Sequence, residues 1–500
     1  PQASSAAAGR RARYLFRYER ACEGHGLQAQ DARARGREAV RGLVSWVLRV
    51  RERIALKLIA RLHANHKLIA SGMVTVGALV LAAKVIGAAK EMAVAWRYGV
   101  SGVVDAYLLA LAITTWLPVI LSSVSLVVFV PRLAGLEGQE REKYISQLNG
   151  LYLALAVFST ILTYFAGPPI AGWIAGGLDA KTIALARSAV MWLSPTAGFI
   201  MVTGYLALRL QSRRKFAYTF FEATPSALIL LFVLLLASTA AIEPLLWGTV
   251  AGFGLQMLIL MSLTQKADKS LGGITLPDFR SPAWQAAGAA LGVMLINQLL
   301  SGLSTPIDRF SAASMGDNVI STLGYADRII ALATSLGATV VARATLPVFS
   351  IGVINKKYED IARQARIWSF IMFLLGIFAS LIIWNASNII VKLLFERGAF
   401  HAQDTDRVSS VLRVACLYLP FYFSSIVLVQ WFSARRRLKN VLLMTSVGIL
   451  AKIGTIIILY DIGIYAIAAS SVSYYAFSFL IGGFLAFRRS PNVKAMVSGQ

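Results

Sequence analysis

Lys84-Val85-Ile86-Gly87-Ala88-Ala89-Lys90-Glu91-Met92-Ala93-Val94-Ala95-Trp96 closes an apolar run that begins near Leu68, and it sets three charges inside a stretch long enough to cross a bilayer. A charge at that depth costs roughly a few kcal/mol or more against lipid, so it normally faces a protein interior or a watery cavity. About twelve such runs fill the chain from Lys67 to Phe487, and Asp105, Asp327, Arg328 and Lys452 fall inside others. The pattern predicts a membrane transporter with a charged cavity. Composition agrees: 57% of residues are apolar and the mean hydropathy is +0.65, far outside the soluble range.

Lipid offers the backbone no hydrogen-bond partners, which leaves helices or closed barrels, and these runs are too long and unbroken for barrel strands. The expected fold is an all-α membrane protein with helices near 68–96, 104–130, 146–168, 182–208, 218–240, 243–264, 283–304, 319–346, 367–394, 406–433, 440–460 and 462–487. The formal charge of +25 follows alternate loops. Segments 132–144, 209–215, 266–280, 356–366 and 435–439 are basic, as are both termini, while the intervening loops carry few basic residues. Under the positive-inside rule those loops and both termini are cytoplasmic, which requires an even helix count and speaks against nucleic-acid binding as the source of the charge.

Residues 1–66 read as a basic cytoplasmic extension. Within it Leu43, Val44, Val47, Leu48, Ile54, Leu58 and Leu62 recur at near-helical spacing with Arg41, Arg49, Arg51, Arg53 and Arg61 between them. That predicts an amphipathic helix over about 40–62 lying on anionic lipid; a solvated tail is the alternative. The first long apolar run is a full span rather than a signal peptide. The chain opens on Pro1 instead of Met, so a natural start upstream is expected. Cys22 falls in the tail and Cys416 within a helix, which makes a disulfide between them implausible.

Prolines suggest an internal repeat. Pro131 and Pro347 close the second and eighth spans, Pro195 and Pro420 stand early in the fourth and tenth, and basic turns follow at Arg213 and Arg435. The offsets, about 216, 225 and 222 residues, predict two six-helix lobes, 67–265 and 266–500, related by a pseudo-two-fold axis along the membrane normal with the substrate between them.

Lys84, Lys90, Glu91, Asp327 and Arg328 form the expected cavity set, with Asp308, Arg309, Arg343 and Lys452 as further candidates. Six residues advance a helix by about 240°, so Lys84 and Lys90 do not share a tight face. Cations outnumber acids here, which favours an anion such as a pyrophosphate, taken by the forked donors of Arg and the point charge of Lys. The plainer alternative is that these pairs, Asp327 with a lysine among them, only staple helices together.

Lys84-Val85-Ile86-Gly87, Lys90-Glu91, Tyr98-Gly99 and Asp105-Ala106-Tyr107, followed by Asp308-Arg309, Tyr325-Ala326-Asp327-Arg328 and Leu394-Phe395-Glu396-Arg397-Gly398-Ala399-Phe400, resemble the signatures of the MurJ/MviN lipid II flippases across residues 67–487. The resemblance implies membership of the multidrug/oligosaccharidyl-lipid/polysaccharide exporter superfamily and alternating access in a bacterial inner membrane, in the service of peptidoglycan and cell-wall synthesis. It carries the family's cavity arginines onto Lys84 and Lys90, its adjoining acid onto Glu91, its later Asp-Arg pair onto Asp327-Arg328, and a gating acid onto Asp105. The chain departs from the family pattern at Ala112-Ile113-Thr114-Thr115 and Ser122-Ser123, in a count of about twelve helices where the family has fourteen, and in the basic extension. These departures put a lipid-linked exopolysaccharide precursor beside lipid II as the expected cargo.

Neither a Walker loop nor a dinucleotide-binding glycine motif is present, so no ATPase is read in this chain and the expected drive is an ion gradient, the membrane potential or mass action. His25, His63, His66 and His401 show no metal-ligand spacing, and no cofactor or metal is expected. Asp404-Thr405-Asp406 sits in a loop too short for a catalytic domain and reads as a helix start. A non-enzymatic flippase is the leading expectation; a cation-coupled drug exporter, which would want an acidic cavity, and a non-transporting scaffold are the alternatives.

Overall fold

The computed structural model describes residues 79–487 apart from 214, 217, 237–240, 270, 355–357 and 436. The basic extension over 1–66, the helix expected at about 40–62, Cys22 and the C-terminal tail from 488 therefore lie outside the described residues. Twelve helical segments follow in order: α1 (79–98), α2 (Gly102–Ala134), α3 (Gly138–Ile174), α4 (Ala180–Ser212), α5 (Tyr218–Leu235), α6 (Glu243–Asp268), α7 (Pro282–Gly302, resuming as Ser304–Ser314), α8 (Val319–Ile354), α9 (Tyr358–Phe395), α10 (Ala402–Cys416 and Leu419–Ala434), α11 (Leu438–Ile458) and α12 (Ile464–Phe487). Among the described residues eight are long and apolar enough to cross a membrane, and α10 adds a ninth when its two halves, bent by 43°, are taken as one span. α1, α7 and α8 are helices where the sequence places further spans, which is compatible with twelve, but among the described residues they do not meet that measure.

Several helices overrun their apolar runs. α3 starts at Gly138 and α9 at Tyr358, so parts of the basic segments 132–144 and 356–366 are helix and not loop. At α3 the physical reason is visible: Arg141 is buried one turn in, donates to the Leu133 carbonyl and pairs with Asp268, so a polar residue extends the helix instead of ending it. Asp179 starts α4 as an N-cap, its carboxylate accepting from the Thr182 amide at 3.3 Å, and that bonding to Thr182 draws its carboxyl below the ordinary range.

The repeat is visible in the packing. α2 packs on α4, α3 on α4, α4 on α6 and α5 on α6; α8 packs on α10, α9 on α10, α10 on α12 and α11 on α12. Each lobe thus uses the same set of partners, six helices apart. The equivalent prolines behave differently, however. Pro195 lies within an unbroken α4, whereas Pro420 opens the second half of α10 just past the bend. A side chain on Gly376 of α9 would stand 2.4 Å from the Pro420 Cα, so α9 follows the bend only because that position is glycine.

Buried apolar residues divide into three cores, and their placement positions the site. At the end where α1 turns into α2, hereafter the junction end, one core joins both lobes: Val104, Tyr107 and Leu193 pack with Tyr325, Phe395 and Val411. At the opposite, basic end the cores part. Phe129, Tyr144, Tyr205 and Trp284 form one around α2 to α4 and the start of α7, and Phe349, Trp431, Phe432 and Met444 form another in the second lobe. The lobes share one core at the junction end, hereafter the seal; at the basic end each has a core of its own, and the first lobe's takes in Trp284 and Leu291 from α7 of the second.

Candidate functional site

α1 and α8 face each other beneath that seal. Arg328 of α8 reaches across to Glu91 of α1 with Nε 2.7 Å from Oε2, and the neighbouring Lys90 ammonium pairs with the other carboxylate oxygen. All three side chains are largely buried. Two cations share one acid, so the group keeps a net positive charge in a setting where an unpaired charge is costly. The Arg328 guanidinium also lies over the Tyr325 ring, 5.2 Å from its centroid, and its Nη1 is buried with no hydrogen-bond partner among the described residues. A buried donor without a partner, in a net positive group, suits an anionic oxygen.

Asp327 and Arg328 are adjacent in sequence but serve different lobes, because one residue along a helix rotates the side chain by about 100°. Asp327 turns toward Arg309 of α7 at 3.9 Å and is 53% exposed, facing open space rather than packed protein. Arg309 also donates to the Ile320 carbonyl. Lys452 of α11 is fully buried, its ammonium 2.7 Å from Asp308 Oδ1 and 2.9 Å from Ser471 Oγ, which ties α7, α11 and α12 together. The lysine therefore pairs with Asp308 and not with Asp327, which takes Arg309 in place of the expected lysine. Lys84 stands apart from the triad and is exposed on α1, within electrostatic reach of Glu222. Arg343 lies on α8, and its side chain is outside the described part.

Glu222 was missed in the sequence because it sits inside the apolar run 218–240; the signal was the acid itself, followed by Pro225. The helix is interrupted there, with Tyr218–Phe221 before the break and Thr224–Leu235 after it.

Asp105 lies at the seal. Its fully buried carboxylate accepts from the Asn318 amide and from the Ser321 amide, both at 2.6 Å. Asn318 has a left-handed backbone (φ 65°) and immediately precedes Val319, the first residue of α8. The amides that open a helix lack partners within it and carry its positive dipole end, so a carboxylate from the other lobe caps α8 across the interface. Beside it the Asp179 amide donates to Asp317 Oδ1 at 3.0 Å, and the Tyr325 hydroxyl donates to the Gly99 carbonyl at 2.9 Å.

The Leu394-to-Phe400 motif docks on the same spot. The Ala399 amide donates to the Trp96 carbonyl at 2.8 Å, and Phe395 and Phe400 pack against Tyr325 with centroids 5.1 and 5.3 Å away. Gly398 has φ +61°, and a Cβ there would stand 2.3 Å from the Trp96 carbonyl oxygen. Gly398→Ala is expected to cost about 1–2 kcal/mol from the left-handed backbone alone, with the clash added. Its unfolding midpoint should fall, whereas Leu393→Ala, on an exposed position, should leave the midpoint in place. Equal midpoints for the two variants would remove Gly398 from the seal.

A family model described as lipid II flippase MurJ matches residues 94–495. A probable lipid II flippase MurJ of Rhizobium tropici is 25% identical over 413 residues, covering 78% of this chain and 75% of the relative. A lipid II flippase MurJ of Burkholderia cenocepacia is 24% identical over 390 residues, 74% of each chain. Among solved structures, one titled lipid II flippase MurJ in an inward closed conformation superposes with a TM-score of 0.72 at 20% identity, covering 82% of this chain and 87% of that one. An inward-facing multidrug resistance MATE family transporter of the MOP superfamily superposes at 0.64 with 14% identity, covering 82% and 94%. At these identities the structural matches speak to fold alone.

Proposed function

The chain belongs to the lipid II flippase MurJ family, and on that premise we propose that it carries lipid II, or a closely similar polyprenyl-pyrophosphate-linked saccharide, from the inner to the outer leaflet by alternating access. The observation that carries the reading is the Lys90–Glu91–Arg328 triad, a net positive group between the lobes with the Arg328 Nη1 donor unpartnered. A pyrophosphate would take that donor and the Lys90 ammonium, leaving Glu91 to balance the remaining charge. Asp105 acts as the gate that holds the junction end shut while the headgroup enters from the basic end. A net positive site disfavours organic cations, which sets the drug-exporter reading aside. Lys84 and Glu222 lie on α1 and α5 outside the triad and contribute to the entry path.

The positive-inside rule applied to the basic loops supports a cytoplasmic position for the basic end and both termini in a bacterial inner membrane. Cysteine at position 402 should then be labelled from outside intact cells and cysteine at 437 only after the membrane is breached; labelling of 437 from outside would reverse the orientation. With no nucleotide-binding motif in the sequence, the drive comes from a gradient, the membrane potential or consumption of the product on the outer leaflet. In proteoliposomes the purified chain should move fluorescent lipid II to a leaflet accessible to a quencher. If it moves none while a family relative prepared alongside does, the substrate assignment fails.

A further inference from the structure

At the basic end of the first lobe, away from the triad, three guanidiniums converge on one carboxylate. Arg209 Nη2 lies 2.9 Å from Asp268 Oδ2, and Arg213 Nε and Arg141 Nη2 lie 2.8 and 3.2 Å from Oδ1. The cluster is net positive, its Arg213 side chain is 44% exposed, and the buried Arg141 Nε has no hydrogen-bond partner among the described residues. The connection from α6 to α7 leaves this cluster and lies along α3. Asn149 Nδ2 donates to the Leu271 and Gly273 carbonyls at 2.9 and 2.8 Å, and the Thr275 amide donates to the Ser146 carbonyl at 3.0 Å. A Cβ on Gly150 would stand 2.2 Å from the Thr275 carbonyl oxygen, so glycine is what lets the segment seat there.

The seated segment and α3 flank an open groove of about 570 Å³ lined by Gly150, Leu153, Val157, Phe158, Ile161 and Leu276 among others. Its walls are almost wholly apolar, Leu276 is 85% exposed, and the groove runs along α3 away from the arginines toward the middle of the span. A positive cluster at the basic end of an apolar groove on a membrane-facing helix matches a molecule with an anionic head and a hydrocarbon tail. We propose that this flank binds one anionic membrane phospholipid, its phosphate on the exposed Arg213, with the buried Arg141 and Arg209 adding positive charge from beneath, and an acyl chain in the α3 groove. Bound there, the lipid would pin the connection between the two lobes to the first lobe. The site is independent of the triad and does not rest on the substrate assignment.

Native mass spectrometry of the full chain in mild detergent, titrated with palmitoyl-oleoyl phosphatidylglycerol or with phosphatidylcholine of the same chains, tests this. Phosphatidylglycerol should bind more tightly, and Arg213→Ala should weaken it about fivefold, the effect of one basic residue near an anionic surface. Filling the groove with Leu153→Trp and Val157→Trp together should weaken it at least as much, while Ile458→Trp, on an exposed position of another helix, should not. Binding by the basic extension is common to all variants, so only differences between them count. Equal affinity for the two lipids, or loss of neither head nor groove contribution in the two variants, would overturn the site. Should one variant fold poorly the other still decides, since head and tail are changed separately.

Discussion

Asp105→Ala should release the two lobes from each other at the junction end and leave little transport. The carboxylate makes two bonds of 2.6 Å to amides at the start of α8, and a hydrogen bond to a charged group contributes about 1.5–3 kcal/mol. Losing both removes roughly 3 kcal/mol or more from the sealed state, enough to shift a two-state ratio by over about a hundredfold. Pairs of spin labels on Val100 and Gln403 should report the change as a longer-distance population that the parent chain lacks. Asp105→Asn keeps the shape and one acceptor but loses the charge, so it should fall between the two. If the alanine variant keeps the parent's distance distribution, Asp105 is a structural cap and not a gate.

Arg328→Ala should lower transport per folded molecule by roughly ten- to a hundredfold, the equivalent of one lost charge-assisted bond to phosphate. The variant also leaves Glu91 with Lys90 alone, so some loss of folded protein in the membrane is expected alongside. Stapling and substrate binding are separated by normalising to folded protein: a staple lowers yield and leaves each surviving molecule working. Arg328→Lys keeps the charge but not the fork and should recover only part of the rate, whereas Lys90→Arg should keep it, since either side chain supplies a cation to Glu91. Normal per-molecule transport in Arg328→Ala and Lys90→Ala alike would end the phosphate assignment.

The order of helices was legible because each apolar run is bounded by a proline, a basic turn or a short polar loop, as at Pro131 and Arg213. Helix ends were less so. Polar residues that a periodicity argument assigns to loops, such as Arg141, are held inside the helix by partners far along the chain, here Asp268. The residues of the candidate site were legible as charges out of place in apolar runs, but their pairing was not. Whether Asp327 meets a lysine or Arg309, and which of two neighbours in α8 crosses between lobes, depends on helix rotation, which no spacing within one helix fixes. Glu222 was hidden by its own surroundings, and the value of Asp105 appeared only when α8 was seen to begin against it. The family motifs were visible as words, and the fold shows their shared location: Tyr98-Gly99, Tyr325 and Phe395 to Phe400 all pack at the one seal.

Tyr325 touches both halves of the proposed mechanism, with its hydroxyl on Gly99 and its ring beneath Arg328. A headgroup that draws Arg328 toward itself changes the contact that helps hold Tyr325 against the seal. Thermodynamic reciprocity then fixes a relation between two measurable quantities: the factor by which substrate changes the ratio of sealed to unsealed molecules equals the factor by which sealing changes the affinity for substrate. Removing the ring in Tyr325→Leu should bring both factors toward one together, turning a coupled carrier into two sites that ignore each other.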